Sequence, residues 1–274
     1  MKNNFLKYSN RRYKRSIIKF ISKILRQPND IQIAKNNVLE FLIKKYGYKV
    51  AYGQFKDMKL DKEVWWSKND LITKILGVYE KHIIDQLIFF SQKGSKTFID
   101  IGAADGYFPI GLVISGIFKE SFAYEISSKG RAILEKNIIN NDCSNRVNIR
   151  SHATFDSINN IISNIENPTI LIDIEGSEFD FLSLRMLDLL KSSNVICELH
   201  PWLVNHGDQK QKDLLEDASK IFDVKLIQRE FYNPNQFEDL NKFGDDERLL
   251  AFSEKRSRNT SWLVLQPKSS SIIK

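Results

Sequence analysis

The sequence is poor in cysteine. Cys143 and Cys197 are the only two in 274 residues, which excludes a disulfide framework and predicts synthesis in a reducing compartment, the cytoplasm, with both thiols packed as small core residues. Six prolines and twelve glycines, without period, exclude collagen-like and linker-dominated chains, and no internal repeat of solenoid length is present. No apolar run reaches the roughly 18 residues of a membrane span. The stretch from Ser16 to Leu25 is broken by Lys19 and Lys23 and is followed by no small-residue cleavage site, so it does not read as a signal peptide. Acids are missing from residues 1–26, which hold nine lysines and arginines; with a net charge of +7, the rest of the chain carries −2. The body is therefore not basic and offers a poor track for phosphates.

What is present is a globular composition, 42% hydrophobic and 27% charged, enough for one large domain with a modest appendage. Three zones emerge. In residues 1–30, Ile17, Ile18, Ile21, Ile24 and Leu25 recur at helical spacing with Arg12, Arg15, Lys19 and Arg26 mostly opposite, which predicts a basic amphipathic helix. Nine cations combined with an apolar stripe suit an anionic membrane surface at its inner face, through residues 2–26. Residues 31–93 read as a helical connecting or lid region, with a helix to about Tyr46, a short hairpin within 47–64 and a helix over 79–92. From residue 94 to 274, short apolar runs alternate with helical segments, the pattern of a parallel sheet covered on both faces. Strands are expected near 96–101, 120–125, 146–151, 169–174, 194–199, 223–229 and 261–267, with a loop-rich stretch over 230–260. The expected fold is α/β, with a Rossmann-like, seven-stranded, mostly parallel sheet and an N-terminal helical extension.

The chemistry collects at the carboxyl ends of these strands, where α/β sheets bind ligands. The first expected strand runs into Asp100-Ile101-Gly102-Ala103-Ala104-Asp105-Gly106. A dinucleotide fingerprint needs G-x-G-x-x-G to present amides to a pyrophosphate. Here the glycines are spaced Gly102-x-x-x-Gly106, and the carboxylates of Asp100 and Asp105 would repel phosphate and attract a cation. Twenty-three residues beyond Gly102, Glu125 ends the second strand, where an acid accepts hydrogen bonds from ribose hydroxyls. A ribose joined to a cation points to S-adenosylmethionine (SAM), with Asp100, Gly102, Ala103, Asp105, Gly106, Glu125 and Asp173 as candidate contacts.

Two further runs carry candidate catalytic groups. In Asp173-Ile174-Glu175-Gly176-Ser177-Glu178, Asp173 and Glu175 project to one side if the backbone stays extended, Ser177 is placed to cap the following helix, and Glu178 is either a cleft residue or a first-turn acid meeting the helix dipole. In Glu198-Leu199-His200-Pro201, Glu198 and His200 share one side of the fifth strand; His200 is the candidate base, with Glu198 orienting it.

With Gly77-Val78-Tyr79-Glu80 upstream, the Asp100-to-Gly106 loop, Glu125, the Asp173-to-Glu178 run and Glu198-Leu199-His200-Pro201, residues 75–267 resemble the FkbM-type family of class I SAM-dependent methyltransferases. The resemblance implies a seven-stranded methyltransferase sheet and O-methylation of a sugar, glycan or other hydroxyl-bearing metabolite. Ala104 stands where the superfamily often has a middle glycine. A divalent cation such as Mg2+, held by Asp173, Glu175 and Glu198, is an alternative means of activating the hydroxyl.

Two other classes compete. Nucleic-acid (RNA) methylation is suggested by the basic leader and by Tyr8, Tyr13, Trp65 and Trp66, which could stack on bases. Against it stands Asp173-Ile174-Glu175-Gly176, where methylases of exocyclic base amines tend to carry Asn/Asp-Pro-Pro-aromatic. A non-catalytic interaction module on the same fold is opposed by the intact acidic positions. Acceptor specificity is expected in the connecting zone and in residues 201–212 and 230–260.

Overall fold

A computed structural model describes residues 30–65, 67–254 and 256–268. The basic helix expected in the leader and its membrane-surface contact through residues 2–26 lie outside the described residues, as do Tyr8, Tyr13 and Trp66. Among the described residues, no helix is long and apolar enough to cross a membrane.

Seven strands form one sheet: β1 (Thr97–Ile101), β2 (Glu120–Tyr124), β3 (Val147–Arg150), β4 (Thr169–Ile172), β5 (Asn194–Leu199), β6 (Phe222–Gln228) and β7 (Ser261–Pro267), in the order β3-β2-β1-β4-β5-β7-β6. Neighbours from β3 to β5 pair in parallel, and β7 runs antiparallel to both β5 and β6. The expected α/β sheet is present, each strand within two residues of its predicted bounds.

The two sheet faces explain the apolar runs. Successive strand residues alternate sides. Phe98, Leu171, Ile196 and Val264 enter a core with Ile83, Leu87 and Phe90 of α3 (Lys81–Gln92), Ile110 and Val113 of α4 (Tyr107–Ile114) and Leu134 of α5 (Ser128–Asn140). Ile99, Ile170, Val195 and Leu263 enter the opposite core with Ile158 of α6 (Phe155–Ile162), Met186 and Leu187 of α8 (Leu184–Leu189), which follows α7 (Glu178–Phe181), and Leu214 of α9 (Gly207–Ile221). Every residue of β1, β4 and β5 is buried, because a strand covered on both sides has no polar face to show. Both cysteines are free and buried.

The connecting zone builds a third, smaller core. Val38 and Leu42 of α1 (Asp30–Tyr46) and Leu71, Ile72 and Ile75 of α2 (Leu71–Ile75) pack with Phe237, Leu240, Ala251 and Phe252. The stretch expected to be loop-rich, 230–260, is thus partly helical: α10 (Asp245–Ala251) forms there because α1 gives its apolar side a surface to cover. The expected hairpin is a single antiparallel bridge, Lys49 with Lys59, where Val50 N–H donates to Met58 at 2.9 Å.

Candidate functional site

The turn after β1 depends on its glycines. Gly102 has φ +100°, and a Cβ there would stand 1.8 Å from the Asp173 carbonyl oxygen, so the β1 and β4 ends can approach only without a side chain. Gly106 has φ +87° and a Cβ would meet Leu134 at 2.3 Å; its role is to let the chain turn into α4, and it does not line the cavity below. Ala104 takes the left-handed conformation at φ +47°, and its N–H donates to Glu125 Oε2 at 3.0 Å, so the loop keeps its shape where a glycine is commoner.

Above this turn lies a cavity of about 420 Å3, lined by Asp100, Gly102, Ala103, Asp105, Glu125 and Asp173 among others. Glu125 also accepts Ser127 N–H at 2.7 Å, which locks its carboxylate toward the turn. Burial, helped by the charges of Glu125 and Asp105, pushes the Asp100 carboxyl up to about 8. Asp105 is held by Lys74 Nζ at 3.0 Å to each oxygen. The connecting zone reaches the same cavity through Trp65, Asp70, Lys74 and Tyr79, so it walls the region of the glycine turn as well as any acceptor space.

The ends of β4 and β5 converge on His200, which is 4% exposed. Its Nε2 lies 3.8 Å from Asp173, 3.7 Å from Glu175 and 3.9 Å from Glu198, while Nδ1 faces Glu178 at 3.4 Å. Burial pulls the imidazole pKa down, but the Glu178 carboxylate facing Nδ1 and the charges of Glu198 and Glu175 outweigh it, leaving it above the ordinary 6.5. Burial, with Glu198 and Glu80 adding to it, raises Asp173 well above the usual carboxylate range, and its Oδ1 is buried without a hydrogen-bond partner.

Several local expectations are corrected here. The backbone does not stay extended past Asp173: β4 ends at Ile172 and Glu175 sits at φ +51°, so it is a left-handed turn that aims its carboxylate at His200. Ser177 makes no capping bond. Glu178, fully buried, accepts Gly176 N–H at 2.7 Å and His200 N–H at 2.6 Å, so it ties the β4 turn to the end of β5. Glu198 faces His200 Nε2 at 3.9 Å with one oxygen while Arg256 binds the other, and Glu178 is the acid on the Nδ1 side. Among the described residues the donor set that converges is Asp173, Glu175 and His200, one atom each within 4.8 Å of one another, in place of the expected Asp173, Glu175 and Glu198. Two carboxylates with an imidazole suit a borderline transition metal better than Mg2+, which prefers oxygen ligands alone.

Behind His200 lies a buried ionic network that the sequence pattern did not disclose. Arg256 binds Glu80 and Glu198 and donates to Glu254 at 3.0 Å; Glu254 also pairs with Arg229 at 3.0 Å and accepts the Thr73 hydroxyl at 3.1 Å. Burial, with Glu198 and Glu254 adding to it and Arg256 opposing, pushes Glu80 up to about 8. Glu80 could have been found from its place in Gly77-Val78-Tyr79-Glu80; nothing in residues 253–260 marks Arg256.

No family model matches the chain, and no curated protein matches it. Among solved structures, the METTL16 methyltransferase domain is similar over 87% of this chain and 98% of its own, with 14% identity and a TM-score of 0.51. An O-methyltransferase from Bacillus cereus, in complex with S-adenosylhomocysteine, covers 92% and 97% with 13% identity and a TM-score of 0.46. A tRNA (m1A22) methyltransferase of Streptococcus pneumoniae, so described, covers 66% and 69% with 15% identity and a TM-score of 0.42. What the chain shares at this identity is the class I methyltransferase fold.

Proposed function

We propose that the chain is a SAM-dependent O-methyltransferase acting on a hydroxyl of a sugar, glycan or other hydroxyl-bearing metabolite. The observation that carries this reading is one continuous edge of the sheet where an acid-rich cavity, with Glu125 beside the glycine turn, adjoins the buried His200. The cavity volume of about 420 Å3 lies in the range of roughly 300–1,000 Å3 that holds drug-sized ligands. Its carboxylates suit a ligand that is cationic and carries ribose hydroxyls. When bound, the cofactor would supply a methyl group already activated by a sulfonium sulfur, so little electrophilic help is asked of the protein. The chain's own work is to align an oxygen with that methyl and to hold the proton it loses. His200 Nε2 is the atom placed to take the proton, and Glu178 fixes it by binding the His200 amide. Asp173, Glu175 and His200 would alternatively hold a divalent cation, whose chemistry there would be to lower the pKa of the acceptor hydroxyl; the buried Asp173 Oδ1 has no hydrogen-bond partner that would compete with it.

The motif residues shared with the FkbM-type family and the −2 charge of the body support a hydroxyl-bearing metabolite over a nucleic acid. Calorimetric titration tests the cofactor: SAM should bind and NAD should not. Glu125→Ala should weaken SAM at least about tenfold, since hydrogen bonds to a charged group contribute about 1.5–3 kcal/mol each. Binding of NAD without SAM would overturn the reading. Transfer of label from methyl-labelled SAM to RNA, with none to sugars or glycans, would replace the acceptor class with the competing one.

A further inference from the structure

The cavity is unbalanced in charge. Asp70, Asp100, Asp105, Glu125, Asp173 and Glu175 line it, and among the described residues Lys74 is the one lysine or arginine that does. A nucleoside ligand with a sulfonium and an ammonium is drawn to the ionised members of this set, and they repel its carboxylate. The place where that carboxylate gains Coulomb energy is beside Lys74, and at about 4 Å in a partly buried site such a contact is stronger than in water.

Lys74 is built to remain a cation there. It is on α2, its side chain 9% exposed, with Nζ 3.0 Å from both Asp105 oxygens and 5.1 and 5.4 Å from the ring centroids of Tyr79 and Tyr107. Burial pulls its pKa down, and Asp105 and Asp70 more than offset this. Asp70 lies one helical turn before it and also faces the cavity. Around Lys74 the cavity wall thus presents a cation flanked by two carboxyls, the complement of an amino acid zwitterion, and Glu125 is left for the ribose.

We propose that Lys74 is the receptor for the carboxylate of the cofactor's amino acid part, with Asp70 and Asp105 beside it for the ammonium, so that the connecting segment decides which way round the cofactor lies. This assignment rests on the methyltransferase reading above. The simpler alternative is that Lys74 serves only as the counter-ion of Asp105. The two differ in what they say about ligands that lack the carboxylate.

The test is calorimetric titration of the full chain with S-adenosylhomocysteine, its decarboxylated analogue and 5′-methylthioadenosine, which lacks the whole amino acid part. The wild type should bind S-adenosylhomocysteine at least about tenfold tighter than the decarboxylated analogue, as expected for a charge-assisted contact. Lys74→Met should abolish that preference and leave 5′-methylthioadenosine affinity as it was. Because Lys74→Met strands Asp105 and can unfold the chain, the charge-balanced pair Lys74→Met with Asp105→Asn provides the second variant, and the wild-type comparison stands without either. Equal wild-type affinity for the acid and its decarboxylated analogue, or a Lys74→Met chain that keeps the preference, overturns the assignment alone. A wild type that binds none of the three ligands overturns the methyltransferase reading with it.

Discussion

His200→Ala should lose methyl transfer by about 10²–10⁴-fold, the range for removal of a positioned general acid or base, while keeping its affinity for SAM. The expectation follows from position: His200 is buried where the ends of β4 and β5 meet, and it approaches Asp173 and Glu175 without contributing a side chain to the cavity wall at the glycine turn. Glu175→Ala should act in the same direction, since the left-handed turn at Glu175 aims its carboxylate at Nε2. Single-turnover transfer to a confirmed acceptor is the measurement. An unchanged rate in His200→Ala would reduce the residue to a structural one. Activity that survives EDTA assigns His200 as the base; activity lost to EDTA and restored by a divalent cation assigns Asp173, Glu175 and His200 as its ligands.

Arg256→Met should destabilise the chain by about 3–5 kcal/mol, because it leaves buried acids without their counter-charge. Glu80 and Glu198 are each 1% exposed at the side chain and Glu254 is 3% exposed, while Arg256 is 19% exposed and touches all three. The effect should depend on pH in a definite sense. Burial holds Glu80 at about 8 in the folded chain against an ordinary 4.5. A carboxyl raised by folding costs nothing below its unfolded pKa, costs increasingly as pH rises from there to the folded value, and levels off above it. Loss of Arg256 raises it further, so the two proteins should lose stability in parallel up to about pH 8, and the variant's deficit should open as pH rises through that value and be smallest toward about pH 4–5. Urea unfolding at both ends of that range measures it. A deficit under about 1 kcal/mol at the alkaline end would mean that the acids are already neutral and that Arg256 is not what holds them.

Much of the fold was legible locally. Buried apolar runs separated by helical periods placed all seven strands, since a strand covered on two faces has no polar alternation to hide it. The glycine turn was legible because Gly102 and Gly106 both answer a local backbone demand, a positive φ, although the close approach of Gly102 to Asp173 exists only once β4 lies beside β1. Glu125, Asp173 and His200 could be placed at strand ends by counting, and strand ends in such a sheet lie along one edge.

Pairing between distant groups was not legible, because it depends on strand order. The order β3-β2-β1-β4-β5-β7-β6 inserts the last strand beside β5, and only this brings Arg256, which precedes β7, onto Glu198 of β5 and Glu80 of the connecting zone. Glu178 reads as an ordinary first-turn acid until β5 is laid next to β4, whereupon its buried carboxylate accepts amides from both strand ends. Lys74 reads as one more lysine until α2, packed by its apolar neighbours against Phe237 and Phe252, turns it onto Asp105. The sequence by itself determined the seven strands, the helices between them and the glycine turn, which answer to nearest-neighbour sterics and burial. The tertiary structure alone decided which charges share a low-dielectric interior, since a buried carboxylate or ammonium is held there by a partner that can lie anywhere along the chain.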